Sequence, residues 1–270
     1  MYKYALFSVL LLLVAVVHCR AQFGGLRLIA HRGGIVDAQT DENSISSIKK
    51  AADRGYWMVE LDVRMTKDAV LVVQHDNDLK RFFNLDKKVD ACSWNELKSF
   101  RSANGHQVQQ LKTMLALLKQ EGLQVMIDLK IRGHHPKVFQ ELYGMVKNAG
   151  LAEQALIIPT AEATDYFRGR IKLSCSREQI EAYQKRKDYH PEHYYLFANP
   201  SADDFSWAKE NQIQVVGAIN DFRAAPQELQ LTAKKLIELG VSYIQLDSKF
   251  DHFFGQHLVP AKDSLSFQKK

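Results

Sequence analysis

Glu60 and Asp62 alternate in "VELDVRM", and Asp128 stands in "VMIDLK" with Lys130 two residues on. His31 and Arg32 follow the apolar run "LIA", and His75 ends "VLVVQHD". Acids are depleted from strands, and alternation along a strand puts Glu60 and Asp62 on one face. Leu61 and Val63 then face packed helices, so the acids point inward, where paired carboxylates repel unless a cation joins them. Oxygen donors alone suit one hard divalent ion, Mg²⁺ or Ca²⁺, rather than zinc. One imidazole of the pair His31 and His75 can take a proton from a nucleophilic hydroxyl while the other gives one to a leaving alcohol. Arg32 offers a bidentate fork and Lys130 a point charge for phosphoryl oxygens, and Gly33-Gly34 lets the backbone turn close to a ligand. The inventory is that of phosphodiester cleavage.

Elements that could gather these residues follow from pattern. Strands are expected at 26–30, 57–63, 70–74, 123–129, 155–159, 171–175, 194–198, 213–219 and 243–246, with helical patterns at 44–54, 110–120, 136–148, 177–187 and 226–239. Such alternation predicts a parallel sheet with helical crossovers. The strand at 70–74 is the exception, because only a turn at Lys67-Asp68 separates it from its predecessor. Parallel neighbours need a dozen or more residues between them, so this strand must run back antiparallel. Eight strands remain, the count of an α/β (β/α)8 TIM barrel with an extra antiparallel hairpin strand after the second barrel strand. The return brings His75 to the level of Glu60 and Asp62, at the end of the barrel where active sites sit. A doubly wound sheet would carry a glycine fingerprint after its first strand, and none is present.

Residues 1–21 read as a signal peptide: Lys3, an apolar run over 4–17, then Cys19-Arg20-Ala21 as a cleavage site. The run is short for a membrane span, so export to the periplasm or the exterior is expected, with residues 22–270 as one barrel domain. Removing Lys3 and Arg20 lowers the formal net charge from +5 to +3, too mild for a nucleic-acid surface. Cys92 and Cys175 remain, read as two buried thiols. Tyr194-Tyr195 and Phe253-Phe254 are read as packing, and His134-His135 as surface. The pattern leaves the oligomeric state open.

Taken as an ordered set, "AHRGG", "DENS", "ELDVRMTKDAVLVVQHDNDLKR" and "IDLK" resemble the signature of the glycerophosphodiester phosphodiesterases, within the phospholipase-C-like superfamily of TIM-barrel phosphodiesterases. The likeness is densest over 28–82, touches 123–130, and is fainter at "VVGAIN" and "LGVSYIQLDSK". It implies a (β/α)8 barrel and metal-dependent cleavage of a glycerophosphodiester to glycerol 3-phosphate and an alcohol. By matching position it makes His31 and His75 the acid/base pair. Glu60, Asp62 and Asp128 become metal ligands, Arg32 and Lys130 phosphate contacts, and Asn43 the residue that orders the first loop. The chain departs from the family pattern in Asp128, where glutamate is usual, in "KDA" for Lys-Asp-Gly, and in Ala218, where a tryptophan would wall the pocket. Two other readings suit those departures: a catalytically impaired relative that binds phosphorylated headgroups, and a phosphodiesterase directed at lysophospholipids.

Overall fold

Short runs of aliphatic and β-branched residues, each followed by an amphipathic helix, build the sheet in a computed structural model that describes residues 25–220 and 223–257. The expected leader lies outside those residues. Eight parallel strands close on themselves: β1 (Arg27–Ala30), β2 (Met58–Met65), β7 (Gln124–Leu129), β8 (Leu156–Ile158), β9 (Lys172–Cys175), β10 (Tyr194–Phe197), β11 (Gln214–Ile219) and β12 (Tyr243–Leu246). Closure comes from β1, which pairs with β12 on one side (Ala30 opposite Leu246) and with β2 on the other (Ala30 opposite Val59). Each expected barrel strand is present, with ends shifted by a residue or two.

Helices α1 (Ile45–Asp53), α4 (Leu111–Gln120), α5 (Pro136–Asn148), α7 (Arg177–Gln184) and α9 (Pro226–Leu239) occupy the expected places. The short α6 (Thr164–Phe167) and α8 (Ala202–Glu210) complete the crossovers. The periodic pattern missed α8 because "ADDFSWAKE" buries little more than Ala208; its start is fixed instead by a capping box in which Ser201 and Asp204 satisfy each other's backbone amides.

Side chains sort by alternation. Val59, Leu61 and Val63 of β2, with Val125, Ile127 and Leu129 of β7, belong to the shell between sheet and helices. Ile29, Met58, Met126, Leu156, Tyr195 and Val216 fill the barrel interior. Along β2 the inward series is Met58, Glu60, Asp62, so an apolar floor carries two buried acids above it.

The segment after β2 is larger than the single return strand expected. β3 (Leu71–Val73) runs antiparallel to β2, with Val63 opposite Val73, and β6 (Gln109–Gln110) extends that edge. Between them lie a ribbon of β4 (Asp78–Leu79) and β5 (Leu85–Lys88) and the single-turn helices α2 (Lys80–Phe83) and α3 (Trp94–Leu97). This insert has its own small core of Val72, Leu79, Phe83, Val89, Cys92, Leu97 and Val108. Cys92 lies there and Cys175 in the barrel shell, both as buried free thiols.

Candidate active site

The first loop is built by close backbone approach. A Cβ on Gly33 would stand 2.4 Å from Asn43 Cα, and one on Gly34 would stand 2.3 Å from the Ser47 carbonyl oxygen, with φ at 129°. Gly34→Ala is expected to cost about 2–4 kcal/mol, as strain and backbone overlap combine, measurable by urea unfolding. Arg32 is held in the left-handed region (φ 51°, ψ 49°), its carbonyl accepting from the Asn43 amide at 2.8 Å.

Every residue of "DENS" is engaged. Asp41 accepts from Ser102 and, at 2.7 Å, from Asn104, tying the insert to the loop. Glu42 meets Arg32 at 3.3 Å and Arg81 at 2.7 Å. Asn43 donates to Asp62 Oδ2 at 3.0 Å, and Ser44 caps α1. Asn43 therefore orders the loop as expected, by bridging it to an acid on β2.

Glu60, Asp62 and Asp128 come together. β2 and β7 set Asp62 directly opposite Asp128, and one oxygen from each of the three carboxylates lies within 4.8 Å of the others. Glu60 Oε2 accepts the Arg32 amide at 2.6 Å, whereas its buried Oε1 has no hydrogen-bond partner among the described residues. Lys130 Nζ bonds Asp128 and stands 3.3 Å from Asp62 Oδ1, an ion pair at an oxygen that accepts no hydrogen bond from the described residues. Burial pushes the Glu60 carboxyl well above its ordinary pKa, reinforced by Asp62 and Asp128. Burial also raises Asp128. Lys130 is raised by the surrounding acids in spite of burial. One ammonium against three carboxylates leaves negative charge and a bare buried oxygen, which fit a hard divalent cation.

Both histidines present themselves alike. His31 Nδ1 lies 2.7 Å from Asp247 Oδ1, and His75 Nδ1 lies 2.8 Å from Asp76 Oδ1. An acid at Nδ1 fixes the proton there and leaves Nε2 as the nitrogen able to accept one; His31 Nε2 stands 4.0 Å from Glu60. The return strand performs as expected, since the Gln74 amide donates to the Asp62 carbonyl at 2.9 Å, one residue short of His75. Arg64 at the end of β2 locks this backbone, donating from Nη2 to the His75 carbonyl at 2.6 Å. Burial works to raise the Asp76 pKa, but hydrogen bonds from Arg81 and His75 outweigh it and bring it down to about 2.

Asp76, Asp247, Glu42, Arg64 and Arg81 were not singled out from sequence. "QHD" held the signal for Asp76, an acid beside a candidate acid/base histidine. Next to Lys130 opens a cleft of about 720 Å³, lined by residues that include Arg64, Asn77, Asp90, Arg132, His135 and Glu162. His135, expected at the surface, is part of that wall. Tyr194 stacks on Tyr183 and Tyr189, and Tyr195 fills the barrel, so both pack as expected. At Ala218, where a tryptophan was looked for, the backbone is bound at both N–H and C=O by Asn199.

The profile of the glycerophosphoryl diester phosphodiesterase family matches residues 31–218. The chain belongs to that family. Among relatives of this phosphodiesterase family, a probable glycerophosphodiester phosphodiesterase 2 of Mycobacterium tuberculosis is 32% identical over 107 residues, covering 40% of this chain and 39% of its own length. The chain thus spans less than half of that curated relative. A glycerophosphoryl diester phosphodiesterase from Parabacteroides distasonis superposes with a TM-score of 0.70 at 17% identity, covering 88% of this chain and 90% of its own. An Oleispira antarctica phosphodiesterase, solved with the product sn-glycerol-3-phosphate, gives 0.68 at 20% identity, covering 85% and 97%. At these identities the superpositions speak for the fold, a TIM barrel shared across the family.

Proposed function

We propose that this chain is a divalent-metal-dependent phosphodiesterase that hydrolyses glycerophosphodiesters to glycerol 3-phosphate and an alcohol. The observation that carries the reading is the cluster of Glu60, Asp62 and Asp128 at the mouth of a barrel that also places two acid-tethered imidazoles there. Family membership supports the reaction class, and the product bound to the Oleispira relative supports glycerol 3-phosphate as the half that is retained.

Glu60, Asp62 and Asp128 would hold one Mg²⁺ or Ca²⁺, which when bound polarises a phosphoryl oxygen and offsets the charge of the diester. Arg32 and Lys130 add cationic contacts to the other oxygens. One imidazole Nε2 takes the proton of the nucleophile while the other protonates the departing alkoxide. The nucleophile is water or the substrate's own glycerol hydroxyl; the latter displaces the alcohol to give a cyclic phosphate, which water then opens through a second round of the same proton transfers. The cleft beside Lys130 supports departure of the alcohol on that side. Export, with residues 1–21 removed near Ala21 and 22–270 acting as the enzyme, rests on the leader pattern. N-terminal sequencing of protein recovered outside the cytoplasm checks it. Among the described residues no helix is long and apolar enough to cross a membrane.

The test is a panel of glycerophosphodiesters and lysophospholipids with Mg²⁺ or Ca²⁺. Release of glycerol 3-phosphate from the diesters, stopped by a chelator, is expected. Tight binding without product under either metal would make the chain a headgroup binder. Turnover confined to lysophospholipids would move the substrate class.

A further inference from the structure

Arg81 is on α2 of the insert, outside the barrel, yet its guanidinium joins the two halves of the site. Nε lies 2.5 Å from Asp76 Oδ2 and Nη2 lies 2.8 Å from Asp76 Oδ1. Nη2 also reaches Glu42 Oε1 at 2.7 Å, and Nη1 reaches Glu42 Oε2 at 3.1 Å. Asp76 in turn orients His75 through Nδ1, and Glu42 Oε2 stands 3.3 Å from the Arg32 side chain. A continuous polar chain therefore runs from His75 through Asp76, Arg81 and Glu42 to Arg32.

We propose that Arg81 is a positioning residue, which sets the His75 imidazole and the Arg32 guanidinium at a fixed spacing by forking both of their carboxylate partners. The inference rests on the roles given above to His75 and Arg32. The chemistry of the fork is specific: a planar guanidinium can serve two carboxylates bidentately, whereas a lysine ammonium cannot. Without it, Asp76 and Glu42 are like charges drawn to one place with nothing between them, and they would swing apart. Each would carry its dependent group with it. The Arg81 side chain is 42% exposed, whereas that of Glu42 is 7% exposed. The Asp76 end of the fork is open to water and contributes little to global stability, and the buried Glu42 keeps Arg32 as a second cation, so the activity readouts are judged beside a thermal melt and the larger expected effect is on geometry.

Four single variants, one double variant and two readouts test this: steady-state kinetics on whichever diester the wild type turns over, and ¹⁵N chemical shifts of the His75 ring nitrogens. Asp76→Asn is expected to lower kcat with little change in KM, and Glu42→Gln to raise KM. Arg81→Ala should do both, lowering kcat by about 10–100-fold, the scale of a small misplacement of a reacting group. In an Asp76→Asn background, Arg81→Ala should cost less than about threefold further in kcat, because the two act as one unit. Arg81→Lys should resemble Arg81→Ala rather than wild type, and it carries the test if the alanine variant does not fold. The ¹⁵N shifts should report Nδ1–H in the wild type and a mixture of tautomers without Arg81. Fully multiplicative losses in the double variant, wild-type behaviour of Arg81→Lys, or unchanged ¹⁵N shifts in either Arg81 variant would overturn the proposal. If the wild type turns over no diester, the functional reading fails, and the ¹⁵N arm still decides whether Arg81 sets the imidazole.

Discussion

His75→Ala is expected to lower kcat for glycerol 3-phosphate release by about 10²–10⁴-fold, the usual contribution of a positioned acid or base, with thermal unfolding nearly unchanged. The side chain is 27% exposed and, among the described residues, bonds Asp76 alone, so truncation removes a proton carrier and little packing. His31→Ala should fall in the same range of activity. Its imidazole is more enclosed, at 14% exposure, and bridges to Asp247, so some stability is lost as well. The double variant should be far less than multiplicatively worse than either single one, because proton removal and delivery serve one transition state. Turnover of His75→Ala within threefold of wild type would remove this histidine from the mechanism. Steady-state rates and circular-dichroism melts make the comparison.

That the two histidines share one site was legible in the sequence on one side only. For His75 the decisive feature was local: too few residues separate Met65 from Val70 for anything but a reversal, so strand alternation fixed the outcome. The inward face of β2 was legible for the same reason, because Leu61 and Val63 must face helices. Asp247 was out of reach of such reasoning, since it meets His31 across 216 residues of chain and no spacing rule pairs an acid with a histidine at that range. Arg81 and Glu42, 39 residues apart, were hidden by their setting. Both lie inside quoted motifs, Glu42 in "DENS" and Arg81 at the end of "HDNDLKR", but no spacing rule pairs them, and only the folded insert shows that they face each other. The insert core was illegible because Val89, Cys92 and Leu97 are spread over turns and single-turn helices with no period to detect.

Glu60→Gln should abolish metal-dependent turnover, by on the order of 10³-fold or more, since a lost Lewis acid removes several kcal/mol of transition-state stabilisation. The same change should make the metal-free protein more stable. In that form the folded-state pKa of Glu60 is raised above its ordinary 4.5 by burial, then by Asp62 and Asp128. Between 4.5 and the raised value, the folded protein binds more protons than the unfolded chain. Stability of the metal-free protein therefore falls as pH rises through that window. A cation needs the carboxylate ionised, so its stabilising effect grows in the same direction. The rise in Tm on adding Mg²⁺ or Ca²⁺ should thus be larger near about pH 8 than near about pH 5, at roughly 2–4 °C for each kcal/mol. Glu60→Gln should flatten both the pH dependence and the metal response. An equal Tm gain at the two pH values, or a full gain in Glu60→Gln, would count against the three-carboxylate site. Scanning calorimetry with and without chelator reads all of these.

The closing pair of strands has a consequence for the order in which the molecule becomes competent. Glu60, Asp62, Arg64 and His75 lie on one reversal of the chain, where Val63 already faces Val73, so this half can assemble from neighbouring segments early in folding. His31 has to wait: its orienting Asp247 follows β12, the last barrel strand in chain order among the described residues, which pairs with β1. Contacts so distant in sequence carry the largest loop-closure cost. A nascent chain still short of its eighth strand would therefore hold its three clustered carboxylates and one histidine in place, while the second histidine stays unaligned. Barrel closure then acts as the event that completes the proposed site.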